Sequence, residues 1–187
     1  MTKRRKLRVF IPDTFCSNVP SLRERTVYVS MLARALTIFR VREVVIYRES
    51  VSSPPPPTAG ELVKILRYLE TPQYLRKHLF KLDEDLRYVG VAPPLRAPHH
   101  KPYEPVSEVA GTYREGVVIG MSGDKSIVDV GLGVPAYVSG RYKTGTRLTL
   151  KIESVKPRVC ATVVDRDAVP IYWGLRSGAS TGELRPR

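Results

Sequence analysis

The chain has 187 residues, of which 42% are hydrophobic and 26% are charged, a balance typical of a globular protein with one ordinary domain or two small ones. Its 31 Lys and Arg against 18 Asp and Glu give a net charge of +13, which points to a polyanionic partner, with nucleic acid ahead of a membrane surface. Because it has no apolar run of about 18 residues and no signal-peptide cleavage site, we expect a cytoplasmic protein with no membrane partner.

The first half of the chain alternates apolar runs with helical segments. Leu7–Ile11 and Glu43–Tyr47 are continuous apolar runs, as in strands that are covered on both faces. Between them, Ser21 and Glu24 form a capping box that predicts a helix start. The apolar face of this helix is predicted to comprise Val29, Leu32, Ala33, Leu36 and Phe39. A strand–helix–strand unit predicts a parallel sheet, and the absence of G-x-G-x-x-G disfavours a dinucleotide-binding domain.

Arg23 and Arg34 lie on this predicted helix, separated by close to three full turns, so they project from nearly the same side. They form either a solvated basic face or a surface directed at a phosphate backbone. The first 50 residues contain 11 Lys and Arg against 4 Asp and Glu. We therefore expect this half of the chain to contribute to RNA binding.

A stiff run of four prolines, residues 54–57, separates the second strand from the next helix. Thr58 and Glu61 predict a second capping box, and Thr71–Pro72 ends that helix and begins a short one with Thr71 as its cap. We expect residues 1–92 to form the N-terminal part of an α/β domain. A proline-rich basic joint is expected over residues 93–111.

The joint contains PPLRAPHHK, in which Arg96, His99, His100 and Lys101 are candidate RNA contacts. Imidazole titrates near neutrality, so the histidine pair is compatible with a general base. It is equally compatible with a loop that bonds to the backbone or to phosphate, and this second interpretation is favoured.

From residue 112 to 165 the sequence consists of five short runs rich in Val, Ile, Thr and Tyr, separated by turns that contain glycine. This pattern predicts a five-stranded OB-like barrel that binds RNA by stacking bases on aromatic rings over a basic groove. The alternative is that these are ordinary strand tyrosines beside a solvated charged rim. The interleaved aromatic and cationic residues are Tyr113, Arg114, Tyr137, Arg141, Tyr142 and Lys143.

After the barrel, residues 166–187 are expected to be a return segment, IYWGL, followed by a disordered tail that begins at Arg176. The two cysteines, Cys16 and Cys160, are far apart and are expected to be reduced thiols, and no metal-ligand spacing is present. The chain has 16 prolines but only one Asn and one Gln, a composition typical of a thermophile.

Three stretches together resemble a known family: FIPDTFCSNVPSLRERTVYVSMLARALTIFRVREVVIYRE, the joint with ILRYLETPQYLRKHLF and DLRYVGVAPPLRAPHH, and REGVVIG. They resemble the SPOUT-class RNA methyltransferases of archaea and eukaryotes, in which an OB-like domain is inserted into an α/β domain. The resemblance implies a dimeric enzyme that uses S-adenosylmethionine to methylate RNA, either rRNA or tRNA, at a uridine. It carries over to Arg23 and Arg34 and to Arg96, His99 and His100 without assigning a role to each.

In that family the cofactor site is a C-terminal knot that follows the segment matched by IYWGL, and only residues 176–187 follow it here. The resemblance therefore implies a partial SPOUT-type domain, with no S-adenosylmethionine site and no activity of its own, and such a chain need not dimerise. The catalytic residues are not identified. Two functions remain open: an RNA methyltransferase or its truncated form, and a non-catalytic OB-type RNA-binding module of a ribonucleoprotein.

Overall fold

The computed structural model of the chain describes residues 7–49 and 57–179. Its helices and strands, in chain order, are β1 (Arg8–Pro12), α1 (Leu22–Ile38), β2 (Glu43–Tyr47), α2 (Pro57–Glu70), α3 (Gln73–Leu79), β3 (Tyr113–Ser122), β4 (Lys125–Asp129), β5 (Ala136–Ser139), β6 (Arg147–Ser154), β7 (Cys160–Val163) and β8 (Arg176–Ala179). This architecture confirms the predicted class, α/β with a parallel sheet plus a closed five-stranded barrel.

The chain divides into two compact units. The α/β unit comprises Met1–Glu70, Leu82–Ala97 and Gly174–Arg187, and the barrel unit comprises Thr71–Lys81 and Pro98–Trp173. The segment expected to be a joint, residues 93–111, is thus divided between the two units after Ala97. The short helix α3 groups with the barrel.

The α/β unit has a three-stranded sheet in the order β1-β2-β8, and both strand pairs are parallel. The central strand, β2, buries Val44 and Ile46, while Val45 lies opposite Phe10 in β1 and Gly178 in β8. Helix α1 buries Val29, Ala33 and Leu36, which lie on one face at the predicted helical spacing. Phe39, expected on that face, is 72% exposed because α1 ends at Ile38.

The start of α1 differs in detail from the prediction. Ser21 occupies the N-cap position, but its side chain makes no capping hydrogen bond, so the predicted capping box is wrong. Arg25 instead anchors this end of the helix, because its guanidinium donates to the carbonyls of Val19 and Pro20. The same guanidinium pairs with Glu61 at 2.7 Å.

The other two predicted caps are also wrong. Helix α2 begins at Pro57, which places Thr58 inside the helix, and Glu61 pairs with Arg25 rather than reaching back to a cap. Helix α3 begins at Gln73 with Pro72 at its N-cap position. Thr71 is engaged elsewhere, because its carbonyl accepts from Arg76 and its hydroxyl from Arg147.

The tail prediction is wrong for residues 176–179, which form β8 and pair with β2. The backbone N–H of Arg176 donates to the carbonyl of Arg42 at 2.8 Å. Residues 176–179 have no apolar pattern. They are held in place by backbone hydrogen bonds to an adjacent strand, and such bonds cannot be inferred from sequence composition. Residues 180–187 of the predicted tail, like the prolines 54–56, lie outside the described residues.

In the barrel, the strands follow the closed order β3-β4-β5-β7-β6. The β5–β7 pair is parallel and the other pairs are antiparallel. Alternate residues point inward, as the period of two in a strand requires. The buried core includes Val118, Val128, Val130, Ala136, Val138, Leu150, Ile152 and Ala161.

Candidate nucleic-acid interface

Some cations of the barrel strands and their loops are paired with carboxylates, and others are not. On β3 and β6, Arg114 pairs with Glu104 at 2.6 Å, Arg147 with Glu115 at 2.6 Å, and Lys151 with Glu153. Five other cations have no carboxylate partner among the described residues. They lie in β4, in the loop between β5 and β6 and in the loop between β6 and β7: Lys125, Arg141, Lys143, Lys156 and Arg158.

We call these five residues the unpaired barrel cations, and two of them, Lys125 and Arg158, lie at the face formed by β4 and β5. On β4 and β5 the outward positions include Lys125, Ile127, Tyr137 and Ser139, which we call the outer β4–β5 face. Ile127 lies opposite Tyr137 in the strand register, and Lys125 bridges to Gly140, next to Arg141. Lys125 therefore shares this face with Ile127 and the Tyr137 ring.

Arg158 contacts this face directly. Its guanidinium carbon lies 4.9 Å from the centroid of the Tyr137 ring, within the range of a cation–π contact. The backbone N–H of Tyr137 donates to the carbonyl of Val159 at 2.9 Å, which keeps the loop beside the strand.

The predicted aromatic and cationic residues separate into buried and exposed groups. Arg114 is fully buried and bonded to Glu104, so it is not available to RNA, contrary to the sequence-based expectation. Tyr113 packs edge-on against Trp173, and Tyr142 packs against the barrel core. Arg141 and Lys143 are exposed, as an RNA contact requires.

A buried hydrogen-bond network lies on the opposite side of the barrel and centres on Glu115, which is 1% exposed. Its carboxylate accepts from the Thr149 hydroxyl, the Trp173 indole N–H and the Arg147 guanidinium, each at 2.6 Å. The Tyr74 hydroxyl donates to the Glu115 carbonyl at 2.8 Å. Burial raises the pKa of the Tyr74 hydroxyl, so the phenol stays neutral. This network is structural, because all of its groups already have partners.

The predicted joint residues do not form one cluster. His99 is 1% exposed and packs against His100 and Trp173, so it presents no surface to a phosphate. Lys101 lies 3.7 Å from Glu104. These three residues belong to the barrel unit, whereas Arg96 belongs to the α/β unit.

The structure does bring Arg34 and Arg96 together. They line a groove of about 410 Å³ between the C-terminal half of α1 and the segment Pro93–Arg96, which we call the α1–joint groove. Both arginines are exposed and neither has a partner among the described residues. Leu95 is buried beneath them, and Thr37 and Ile38 complete the wall. Arg23 is also exposed but does not line this groove.

The carboxyl ends of parallel strands are the usual ligand-binding edge of an α/β sheet, so we tested whether S-adenosylmethionine fits there. Asp13 follows β1, is buried and accepts from the backbone N–H of Glu49, which follows β2. Thr14 donates to the Glu49 carboxylate. Residues 1–59 contain no glycine that would allow close backbone approach to a nucleoside. The described residues at this edge therefore do not fit the cofactor, and we derive no step through it.

Within residues 7–49 and 57–179, His, Cys, Asp and Glu side chains form no group of three that could hold a metal ion. Cys16 and Cys160 are free thiols, and burial raises the pKa of the Cys16 thiol. None of the described helices has the length and apolar composition that a bilayer crossing demands.

Sequence reasoning missed Lys125, Lys156 and Arg158 as candidate contacts. A signal was present for two of them, because Lys156 and Arg158 lie where the fourth predicted run ends and the fifth begins, in the stretch SVKPRV, which contains no acidic residue. In OB folds, oligonucleotides commonly bind to the loop between the fourth and fifth strands and to the face of the second and third strands. Here the second and third strands of the barrel are β4 and β5, and the fourth and fifth are β6 and β7.

A barrel that interrupts an α/β unit and carries unpaired cations on its outer face defines a class: a basic two-unit protein suited to a polyanion. The chain belongs to the family described as "Putative RNA methyltransferase", whose model matches residues 6–178.

Its relatives include two named enzymes. The mouse 28S rRNA (uridine-N(3))-methyltransferase is 32% identical, over 90% of this chain and 49% of its own length. The human 28S rRNA (uridine-N(3))-methyltransferase is 31% identical, over 90% of this chain and 50% of its own length. An uncharacterized protein of Haloarcula marismortui is 30% identical, over 84% of this chain and 56% of its own length. The chain spans about half the length of the curated relatives it matches.

Proposed function

We propose that this chain is the RNA-binding part of an S-adenosylmethionine-dependent methyltransferase that acts on a uridine of ribosomal RNA. The observation that carries the proposal is that the barrel cations on β3 and β6 are paired with carboxylates, whereas the unpaired barrel cations lie on β4 and in two loops, with Lys125 and Arg158 at the outer β4–β5 face. The named relatives supply the substrate class, because they are uridine-N(3) methyltransferases of 28S rRNA.

The electrostatic argument rests on pairing rather than on net charge alone. Cations on β3 and β6 have carboxylate neighbours that neutralise them, whereas the unpaired barrel cations have none among the described residues, so their charge is left uncompensated. A phosphate backbone compensates that charge and releases condensed counterions when it binds. The face should therefore bind RNA with an affinity that falls as salt rises.

The α1–joint groove offers a second contact, on the α/β unit. Two unpaired guanidiniums line one groove, and guanidinium groups bind phosphate oxygens in a bidentate manner. The groove and the barrel face would each hold the RNA by its phosphates. Positioning of the acceptor base is a large part of what a methyl-transfer enzyme must supply, and it is the part that these residues can perform.

A second candidate, a non-catalytic RNA-binding module, is favoured by one observation. The described strand-end edge is closed by the contacts among Asp13, Thr14 and Glu49, and no glycine lies in residues 1–59 to admit a nucleoside. Both candidates share the RNA-binding surfaces and differ in whether this chain takes part in methyl transfer.

RNA binding is tested by fluorescence anisotropy with a uridine-rich RNA hairpin at several salt concentrations. The double variant Arg141→Gln/Lys143→Gln should bind more weakly, and its log K against log salt slope should be shallower by roughly 1.4, or about 0.7 for each lost phosphate contact with a single strand. The matched control, Lys81→Gln/Arg87→Gln, removes the same charge from outside both surfaces. Equal slopes for the two double variants would refute the proposal.

Cofactor binding and methyl transfer test whether this chain is an enzyme by itself. Calorimetric titration of the chain with millimolar S-adenosylmethionine is expected to show no saturable heat, and labelled cofactor should transfer no methyl group to RNA. Saturable binding or transfer by the chain alone would show that it is the enzyme itself. RNA binding without either signal is the result that both candidates predict for the chain alone.

A further inference from the structure

The contact between Tyr137 and Arg158 has the form of a prepared stacking surface. Tyr137 points outward from β5 between the inward Ala136 and Val138, so its ring lies over the barrel wall rather than in the core. Arg158 lies in the short loop between β6 and β7, and its guanidinium covers the ring at 4.9 Å. An arginine that is stacked on an aromatic ring presents its other planar face to solvent.

Both side chains are held by fixed backbone. Tyr137 lies opposite Ile127 on β4 and Cys160 on β7, so neighbouring strands flank it on both sides. Val159, which follows Arg158, is 3% exposed and accepts the Tyr137 backbone N–H. The ring and the guanidinium therefore require little ordering when a ligand binds, which lowers the entropic cost of association.

A purely structural role does not account for this pair. Arg158 is exposed and has no carboxylate partner among the described residues, so its charge is not neutralised by the protein. Lys125 lies on the same face of β4 as Ile127, Lys156 lies two residues before Arg158 in the same loop, and neither has a carboxylate partner among the described residues. A planar stacking surface with cations at its rim matches a nucleotide, whose base stacks while its phosphate contacts the cations.

We propose that the Tyr137–Arg158 pair stacks one unpaired base of the bound RNA, while Lys125 and Lys156 contact the adjacent phosphates. The ligand is a single-stranded segment or loop, because the bases of a duplex are already stacked on both faces and cannot be inserted. This inference rests on the proposed function and adds a specific subsite to it. Stacking tolerates any base, so the pair supplies affinity and register rather than sequence selection.

The test compares a uridine oligonucleotide with an abasic oligomer of the same length, which has the same phosphates but no bases. Tyr137→Leu should weaken binding of the uridine oligonucleotide by roughly tenfold or more, the effect of losing one stacked base. Binding of the abasic oligomer and the salt slope should not change. Tyr137→Phe keeps the ring and should keep the affinity, which shows that a loss in Tyr137→Leu comes from stacking.

The chain offers a matched control for this variant. Arg87 lies 5.5 Å from the ring centroid of Tyr88, a second arginine–tyrosine pair, located in the α/β unit. Tyr88→Leu should leave both affinities unchanged. Equal loss for the uridine and abasic ligands, or no loss in Tyr137→Leu while wild type shows salt-dependent RNA binding, would overturn the stacking inference alone. Absence of any RNA binding by wild type would overturn the proposed function as well.

Discussion

The indole N–H of Trp173 donates a 2.6 Å hydrogen bond to the buried carboxylate of Glu115. Trp173 is the last residue of the barrel unit, and Gly174, with φ of 82°, begins the part of the chain that returns to the α/β unit. Because Thr149 and Arg147 bond to the same carboxylate, Glu115 ties the exit of the barrel unit to strands β3 and β6.

Replacing Glu115 should therefore destabilise the protein strongly. Glu115→Ala removes the acceptor of the indole N–H and of the Thr149 hydroxyl, together with the ion pair between Glu115 and Arg147. Loss of one member of a buried ion pair costs about 3–5 kcal/mol. Urea unfolding followed by the fluorescence of Trp173, the single tryptophan, measures the effect. The control Glu153→Ala removes a carboxylate that is 47% exposed, and its loss should change stability by less than about 1 kcal/mol. Equal effects would contradict a central role for Glu115.

Gly131 should tolerate alanine less well than Gly133 does. Both glycines have positive φ, 73° and 75°, so alanine at either position costs about 1–2 kcal/mol of backbone strain. A Cβ at Gly131 would also lie 2.6 Å from the Tyr74 ring, whereas at Gly133 it meets nothing within 4 Å. The Tyr74 ring cannot easily shift, because its hydroxyl is bonded to the Glu115 carbonyl.

Melting temperatures of the two alanine variants provide the measurement. Gly131→Ala should lose roughly 1–3 kcal/mol more than Gly133→Ala, the usual cost of overpacking. If Gly133→Ala melted at the same or a lower temperature, steric contact with Tyr74 would not be the limiting factor.

The sequence predicted the elements that carry a strong apolar period. The β1–α1–β2 unit and the five barrel strands all form, because burial of alternating or helically spaced apolar residues determines them. It failed at β8, whose residues Arg176–Ala179 are held by backbone bonds to β2 rather than by apolar side chains. The predicted helix caps were also wrong: at the start of α1, Ser21 makes no side-chain capping bond, and Arg25 instead bonds to the preceding backbone carbonyls.

For the candidate interface, aromatic and cationic residue types could be predicted from the sequence, but which of them are buried and which are exposed could not. Arg114 and Arg141 are indistinguishable as arginines in a strand-rich region, yet Arg114 is buried against Glu104 and Arg141 is exposed. The difference depends on strand register and on a carboxylate ten residues away. Arg158 was missed because its contact with Tyr137 arises from the parallel β5–β7 pairing, which local spacing does not reveal.

Stability should fall at high pH because of Tyr74. Burial raises the pKa of this phenol above the value of about 10 that it has in the unfolded chain. Below pH 10 the Tyr74 phenol is protonated in both the folded and the unfolded chain, so its contribution to the free energy of unfolding is fully present. Above pH 10 the unfolded chain loses the proton while the folded chain keeps it, so the free energy of unfolding decreases as pH rises.

Urea unfolding of wild type and of Tyr74→Phe between pH 8 and 11 tests this expectation. The difference in unfolding free energy between the two proteins should narrow as pH rises above 10, because phenylalanine cannot ionise. Tyr103, which is 72% exposed, supplies the control variant Tyr103→Phe, which should show no such narrowing. A constant difference for Tyr74→Phe would mean that its hydroxyl ionises equally in both states.

Arg34 and Arg96 should act as one RNA-binding unit because they line the same groove. Arg34→Gln/Arg96→Gln is expected to weaken binding of a uridine-rich RNA and to lower the salt slope by up to roughly 1.4. Arg23→Gln, on the same helix but outside the groove, should have a smaller effect. If one RNA molecule contacts both surfaces, the loss should add to that of Arg141→Gln/Lys143→Gln, since independent sites contribute additively. A groove variant that binds RNA like wild type would restrict the RNA to the barrel unit.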